Sequence, residues 1–96
     1  MDNFGTKIIT ADGEATTAGV PTRVKSIHII SGGGGAAVVA LNNNGSSGTV
    51  YIKETGTVST GKTFYYGEDG MLFPLGCFVD VDSNTTSVLV CCRTVN

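Results

Sequence analysis

Apolar residues recur in this chain at every second position, in runs of five to ten, and never at the three-and-four spacing of an amphipathic helix. Residues 6–10 (TKIIT) form a short β-branched run, followed by a polar loop through Asp12, Gly13 and Gly19. Pro21 then precedes residues 23–31 (RVKSIHIIS), as a strand start tolerates. In that run Arg23, Lys25, Ile27 and Ile29 fall on one side, and Val24, Ser26, His28 and Ile30 on the other. Neither side is apolar throughout, which predicts a bulge or a change of environment near Ser26. Residues 36–41 (AAVVAL) are apolar on both faces, as in a strand covered on both sides.

Turns punctuate these runs. Gly32, Gly33, Gly34 and Gly35 make one, and Asn44-Gly45 supplies a strong hairpin signal. Residues 49–55 (TVYIKET) alternate, with Val50 and Ile52 predicted on one face and Tyr51 and Lys53 on the other. Residues 60–66 predict a further strand, turned by Asp69-Gly70, and residues 71–74 a short connection or edge piece. Residues 77–82 (CFVDVD) place Cys77, Val79 and Val81 inward with Asp80 and Asp82 outward, and residues 86–95 close the fold. About seven short strands at this spacing predict an all-β protein with no substantial helix. The expected architecture is a single antiparallel β-sandwich, jelly-roll or immunoglobulin-like in order. It spans residues 1–96 with a short N-terminal arm over about residues 1–5.

Composition narrows what such a sandwich does. Charged residues make up 15% of the 96 positions, against about 25% in an ordinary soluble domain, while apolar ones reach 41%. A surface so poor in charge suits contact with neighbouring subunits. The six cations, Lys7, Arg23, Lys25, Lys53, Lys62 and Arg93, are scattered singly along a chain of net charge −2. That spacing argues against nucleic acid, which needs clustered positive charge. The first residues carry neither a basic start nor an apolar run, so no signal peptide is expected. No stretch reaches the length of a membrane-spanning helix.

Several short motifs imitate chemistry. Residues 56–63 (GTVSTGKT) match the P-loop pattern, but aromatic, strand-favouring Phe64, Tyr65 and Tyr66 follow where a phosphate-holding helix belongs. Residues 80–84 (DVDSN) match the first positions of a calcium loop, with Thr85 and Cys91 standing where Gly and Glu are required. Asp80 and Asp82 remain weak metal candidates; no cofactor and no catalytic residue is assigned. His28, the single histidine, lies mid-strand among isoleucines and reads as a group satisfied within a sheet. Cys77, Cys91 and Cys92 contain no CxxC pair and read as small apolar side chains, the adjacent two on opposite faces.

With its turns in view, the chain resembles small all-β structural proteins of tailed-phage virions. The resemblance is carried by TKIITADGEATT, the SGGGG turn, NNNGSSGTVYIKETGTVSTGKTF and LFPLGCFVDVDSNTTSVLV. It implies a non-enzymatic virion component, a capsid decoration (cement) protein or a tail or neck accessory. Such a protein binds other virion proteins, a major capsid or tail protein, and forms homo-oligomers, a trimer being favoured. Expected contacts are Phe4, Tyr65, Tyr66, Met71 and Phe73, with the loops at Gly32 and Asn44, since aromatic side chains anchor interfaces. The alternative is a fibre-type module on which Tyr51, Tyr65 and Tyr66 stack against a host-surface glycan.

Overall fold

A computed structural model describes residues 3–95 of the chain. Nine strands run in order: β1 (Gly5–Ile9), β2 (Gly13–Glu14), β3 (Thr22–Ser31), β4 (Val38–Asn43), β5 (Thr49–Thr55), β6 (Gly61–Tyr65), β7 (Met71–Phe73), β8 (Cys77–Val81) and β9 (Thr85–Thr94). No helix occurs among the described residues. The strands form two antiparallel sheets. One has the order β1-β9-β3-β6, with β7 continuing along the same strand β3; the other runs β2-β8-β4-β5.

The pairing is nested. β1 pairs with β9, β2 with β8, β3 with β6 and β7, and β4 with β5, as if one long hairpin had been rolled over itself. Ladders between β3 and β9 and between β4 and β8 then knit each sheet together. This is jelly-roll order: among the described residues only β4 and β5 are consecutive strands paired as a hairpin, and every other ladder joins strands distant in the chain. The strand count exceeds seven for two reasons. β2 is a two-residue polar ladder with no apolar signal, and the chain beside β3 is broken into β6 and β7 by the 67–70 turn.

Inner faces of the two sheets supply one core: Val24, Ile27, Ile29, Val88 and Val90 from the first, and Val39, Leu41, Ile52, Cys77 and Val79 from the second. The bulge expected near Ser26 is present. Val24 lies opposite Cys92 and Ser26 opposite Cys91, so Lys25 is the extra residue. It reverses the alternation, and Val24, Ile27 and Ile29 all become fully buried on one face. Strand β5 departs from its expected alternation. Its register shifts between Leu41 and Asn42, leaving Tyr51 as the extra residue and turning Val50 outward beside Lys53 while Ile52 stays inside. The outer face of β4 (Val38, Ala40) is half-buried rather than covered, and it floors a groove described below.

Candidate interface

Among the described residues, large apolar side chains are exposed at eight positions, and six of them lie along one margin of the sandwich. Val50 and Tyr51 come from β5, Tyr65 from β6, Met71 and Leu72 from β7, and Leu75 from the turn that follows. This margin joins the free edges of both sheets, where unpaired backbone groups accompany the apolar side chains. Two contacts tie the edges together. The Tyr51 ring lies 5.2 Å from that of Phe73 across the sheets. The Tyr66 hydroxyl donates to Glu54 Oε2 at 3.0 Å. Burial, reinforced by the Glu54 carboxylate, pushes the Tyr66 hydroxyl far above its ordinary titration range. The Leu75 N–H donates to Asn43 Oδ1 at 2.8 Å, fixing the turn against β4.

The expected contact residues therefore divide. Tyr65 and Met71 are on the margin and open to solvent, 59% and 37% exposed. Phe73 is not: it is fully buried, because β7 pairs Phe73 with buried Thr22 and turns the adjacent Leu72 outward, beside Arg23. Tyr66 is half-buried, packs against the core and has its hydroxyl engaged, so it organises the margin from within. Leu72, Val50 and Leu75 are the members that sequence reading missed. The outward turn of Val50 follows from a bulge that its cleanly alternating sequence does not announce. The three tyrosines have different surroundings: Tyr51 stacks on Phe73, Tyr66 bonds Glu54, and Tyr65 alone presents an open ring free of ring contacts and hydroxyl hydrogen bonds among the described residues.

Phe4 leads into a second feature. Lys25 Nζ lies 5.3 Å from the centre of its ring and Arg93 Cζ 5.1 Å. Arg93 stands directly opposite Arg23 on the β3–β9 ladder, and Arg23 Nη1 donates to the Gly70 carbonyl at 3.1 Å. Like charges in direct cross-strand register oppose each other, and the π face of Phe4 offsets part of that cost. The fold thus gathers three of the six cations that are dispersed in the sequence. The bulge at Lys25 and the return of β9 beside β3 bring them together. Arg93 Nη1 is buried with no acceptor among the described residues.

A groove of about 380 Å³ crosses the outer face of the second sheet. Val38 and Ala40 form its floor, Val50 and Lys53 one wall, and Asp80, Val81 and Asp82 the other. Ala40 sits in register with both Lys53 and Asp80. Asp82 Oδ1 accepts from the Asn84 N–H at 3.1 Å and the Thr85 hydroxyl at 3.0 Å, closing the turn before β9. One of its oxygens is thereby committed, and no group of three His, Cys, Asp or Glu side chains gathers here or elsewhere among the described residues. Calcium takes six to eight oxygens, and Asp80 with Asp82 does not provide that set.

The P-loop match is absorbed by the sheet. Gly61, Lys62 and Thr63 belong to β6, antiparallel to β3, and the Gly56 N–H donates to the Ala37 carbonyl at 2.8 Å. Gly61 is required by packing, since a Cβ there would collide with the His28 ring. His28 Nδ1 and Thr63 Oγ1 share a hydrogen bond of 2.7 Å, the in-sheet partner expected of that histidine. Lys62 lies over the Phe64 ring at 5.2 Å. Cys77 and Cys92 are buried and Cys91 half-buried, all three as free thiols. Burial pushes Cys92 up to about 11 and Cys77 further still. Compared with known proteins, the chain matches no family model, no curated protein and no solved structure.

Proposed function

We propose that the chain is a non-enzymatic structural component of a phage virion, a capsid decoration protein that attaches to the shell through its apolar margin. The observation that carries this reading is the margin itself: Val50, Tyr51, Tyr65, Met71, Leu72 and Leu75 exposed together at two free sheet edges. Contiguous apolar surface of this kind marks a place another protein covers. The low charge of the chain points the same way. A partner strand can add to β5 or β7 through backbone hydrogen bonds while its side chains cover Tyr65 and Leu72. The partner is a major capsid protein, and the chain resides in the virion.

Cosedimentation with purified heads and with purified tails of the encoding phage tests this. Saturable attachment to heads is the expected result. Attachment to tails alone would move the protein to a tail or neck position, and attachment to neither would refute the reading. A glycan-binding fibre module would instead hold an oligosaccharide at Tyr65 and Tyr51 without either particle.

A further inference from the structure

Two of the three thiols point into the core from opposite sheets, and one residue joins them. Cys77 comes from β8 of the second sheet and Cys92 from β9 of the first, and both are buried in the common core. Ala15 lies one residue past β2. Its N–H donates to the Cys77 carbonyl at 2.8 Å, which extends the β2–β8 ladder and sets Ala15 opposite Cys77. The Ala15 carbonyl in turn accepts from the Cys92 thiol at 3.9 Å. Cys92 Sγ therefore meets the second sheet one strand spacing, about 4.8 Å, from the strand that carries Cys77. Towards the sheet edges the partners are small, Gly5 opposite Cys92 and Ala15 opposite Cys77, so no bulky side chain on that side holds the two apart. Burial, and after it the nearby Cys92 thiol, pushes Cys77 up. Cys91 takes no part, since adjacent strand residues point to opposite faces and Cys91 stands on the outer face between Thr6 and Ser26.

We infer that Cys77 and Cys92 are a redox pair, which oxidation closes into a disulfide tying one sheet to the other. Such a bond spans Cα atoms about 4.4–6.8 Å apart, and the pair closes as the two thiols turn about their Cα–Cβ bonds. The co-reactant is a small-molecule disulfide such as oxidised glutathione. The thiolate of Cys92, the less buried of the two, attacks one of its sulfurs and expels a glutathione thiolate. The Cys77 thiolate then attacks the Cys92 sulfur of the mixed disulfide, and the second glutathione thiolate leaves. The two protons lost by the protein thiols end on the two glutathiones, which carry away the electron pair. Reducing surroundings keep the pair open and oxidising ones close it. The closed loop runs through the turn between β8 and β9, so the bond staples the sandwich across its core whether or not the chain attaches to a shell.

Refolding in a glutathione redox buffer, which opens all three thiols to the oxidant, tests this with the wild-type chain, Cys91→Ala and Cys92→Ala. Wild type and Cys91→Ala should each lose two hydrogens by mass while remaining single chains on a non-reducing gel. Cys92→Ala should not, because Cys91 points away from Cys77. Cleavage at Asp80 and Asp82 separates Cys77 from Cys92, so the linked fragments locate the bond. Closing a loop of about 15 residues should lower the unfolding equilibrium constant about a hundredfold and raise the melting temperature by roughly 10 °C, and reductant should reverse both. The Cys91→Ala chain reads the buried pair alone, since no other thiol is left in it. A refolded chain without an intramolecular disulfide overturns the inference. A bond that uses Cys91, or a closed form that melts no higher than the reduced one, overturns it equally.

Discussion

Phe73 and Leu72 are neighbours in a three-residue strand and should behave as opposites. The Phe73 ring is fully buried, stacked at a tilt 5.2 Å from Tyr51, and its backbone pairs with Thr22. Truncating a buried Phe to Ala costs about 3–5 kcal/mol through lost burial and the cavity left behind. At about 0.05–0.15 kcal/mol per residue, a chain of 96 residues has a total stability of about 5–14 kcal/mol. Phe73→Ala therefore removes a large share of the stability and frees the Tyr51 ring that lies against it. Leu72 is solvent-facing beside Arg23, and Leu72→Ala should change stability by about 0.5 kcal/mol or less. Urea unfolding followed by circular dichroism reads both, with unchanged m-values confirming that the unfolding transition itself is the same. A loss below about 1 kcal/mol for Phe73→Ala, or a larger loss for Leu72→Ala, would refute the assignment of inward and outward positions on β7.

Stability should also fall with alkaline pH. The buried thiol of Cys92 titrates near 11 folded against 9.0 ordinarily, and Cys77 and Tyr66 are raised in the same direction. Between the ordinary and raised values the unfolded chain has lost protons that the folded chain retains. The contribution is thus complete below about pH 9 and is lost as pH rises toward 11. Melting curves across pH 7–11 check this, and a temperature that climbs above pH 9 would contradict it. In native buffer a thiol reagent should label Cys91 first, with Cys77 and Cys92 following only on unfolding, as mass spectrometry of digests would report. Gly48→Ala should destabilise strongly or prevent folding, because a Cβ there would overlap the Asn43 carbonyl in the β4–β5 hairpin; near-wild-type melting would contradict that packing. Asp82→Ala should cost about 1 kcal/mol by removing the acceptor of Asn84 and Thr85, and added calcium should leave the melting temperature of the wild type unchanged.

The sheet-forming pattern and the β3 bulge were legible because each leaves a mark on alternation. Arg23, Val24 and Lys25 conflict with Ile27 and Ile29 unless one residue is extra, and Lys25 is that residue. Strand β5 left no such mark: residues 49–55 alternate cleanly whether or not Tyr51 bulges, so the outward turn of Val50 depends on its neighbours. Phe73 was misplaced for a related reason, since a three-residue strand carries too little alternation to show which of Leu72 and Phe73 faces the core. Of the interface, the large side chains Tyr65 and Met71 could be named from residue type. The cation cluster could not, because Phe4, Lys25 and Arg93 meet only through the long-range pairing of β3 with β9. Nested jelly-roll order is likewise a property of non-local contacts, to which local patterning is blind.

Attachment of the domain through its apolar margin is tested most directly by a binding isotherm on purified heads, comparing the wild type with a Tyr65→Glu, Leu72→Glu double variant. Both side chains are solvent-facing, so the variant should remain folded, with an unchanged circular dichroism spectrum. Saturable wild-type binding that the double variant loses is the predicted result. Wild-type binding left intact by both substitutions, or no wild-type binding at all, would contradict it.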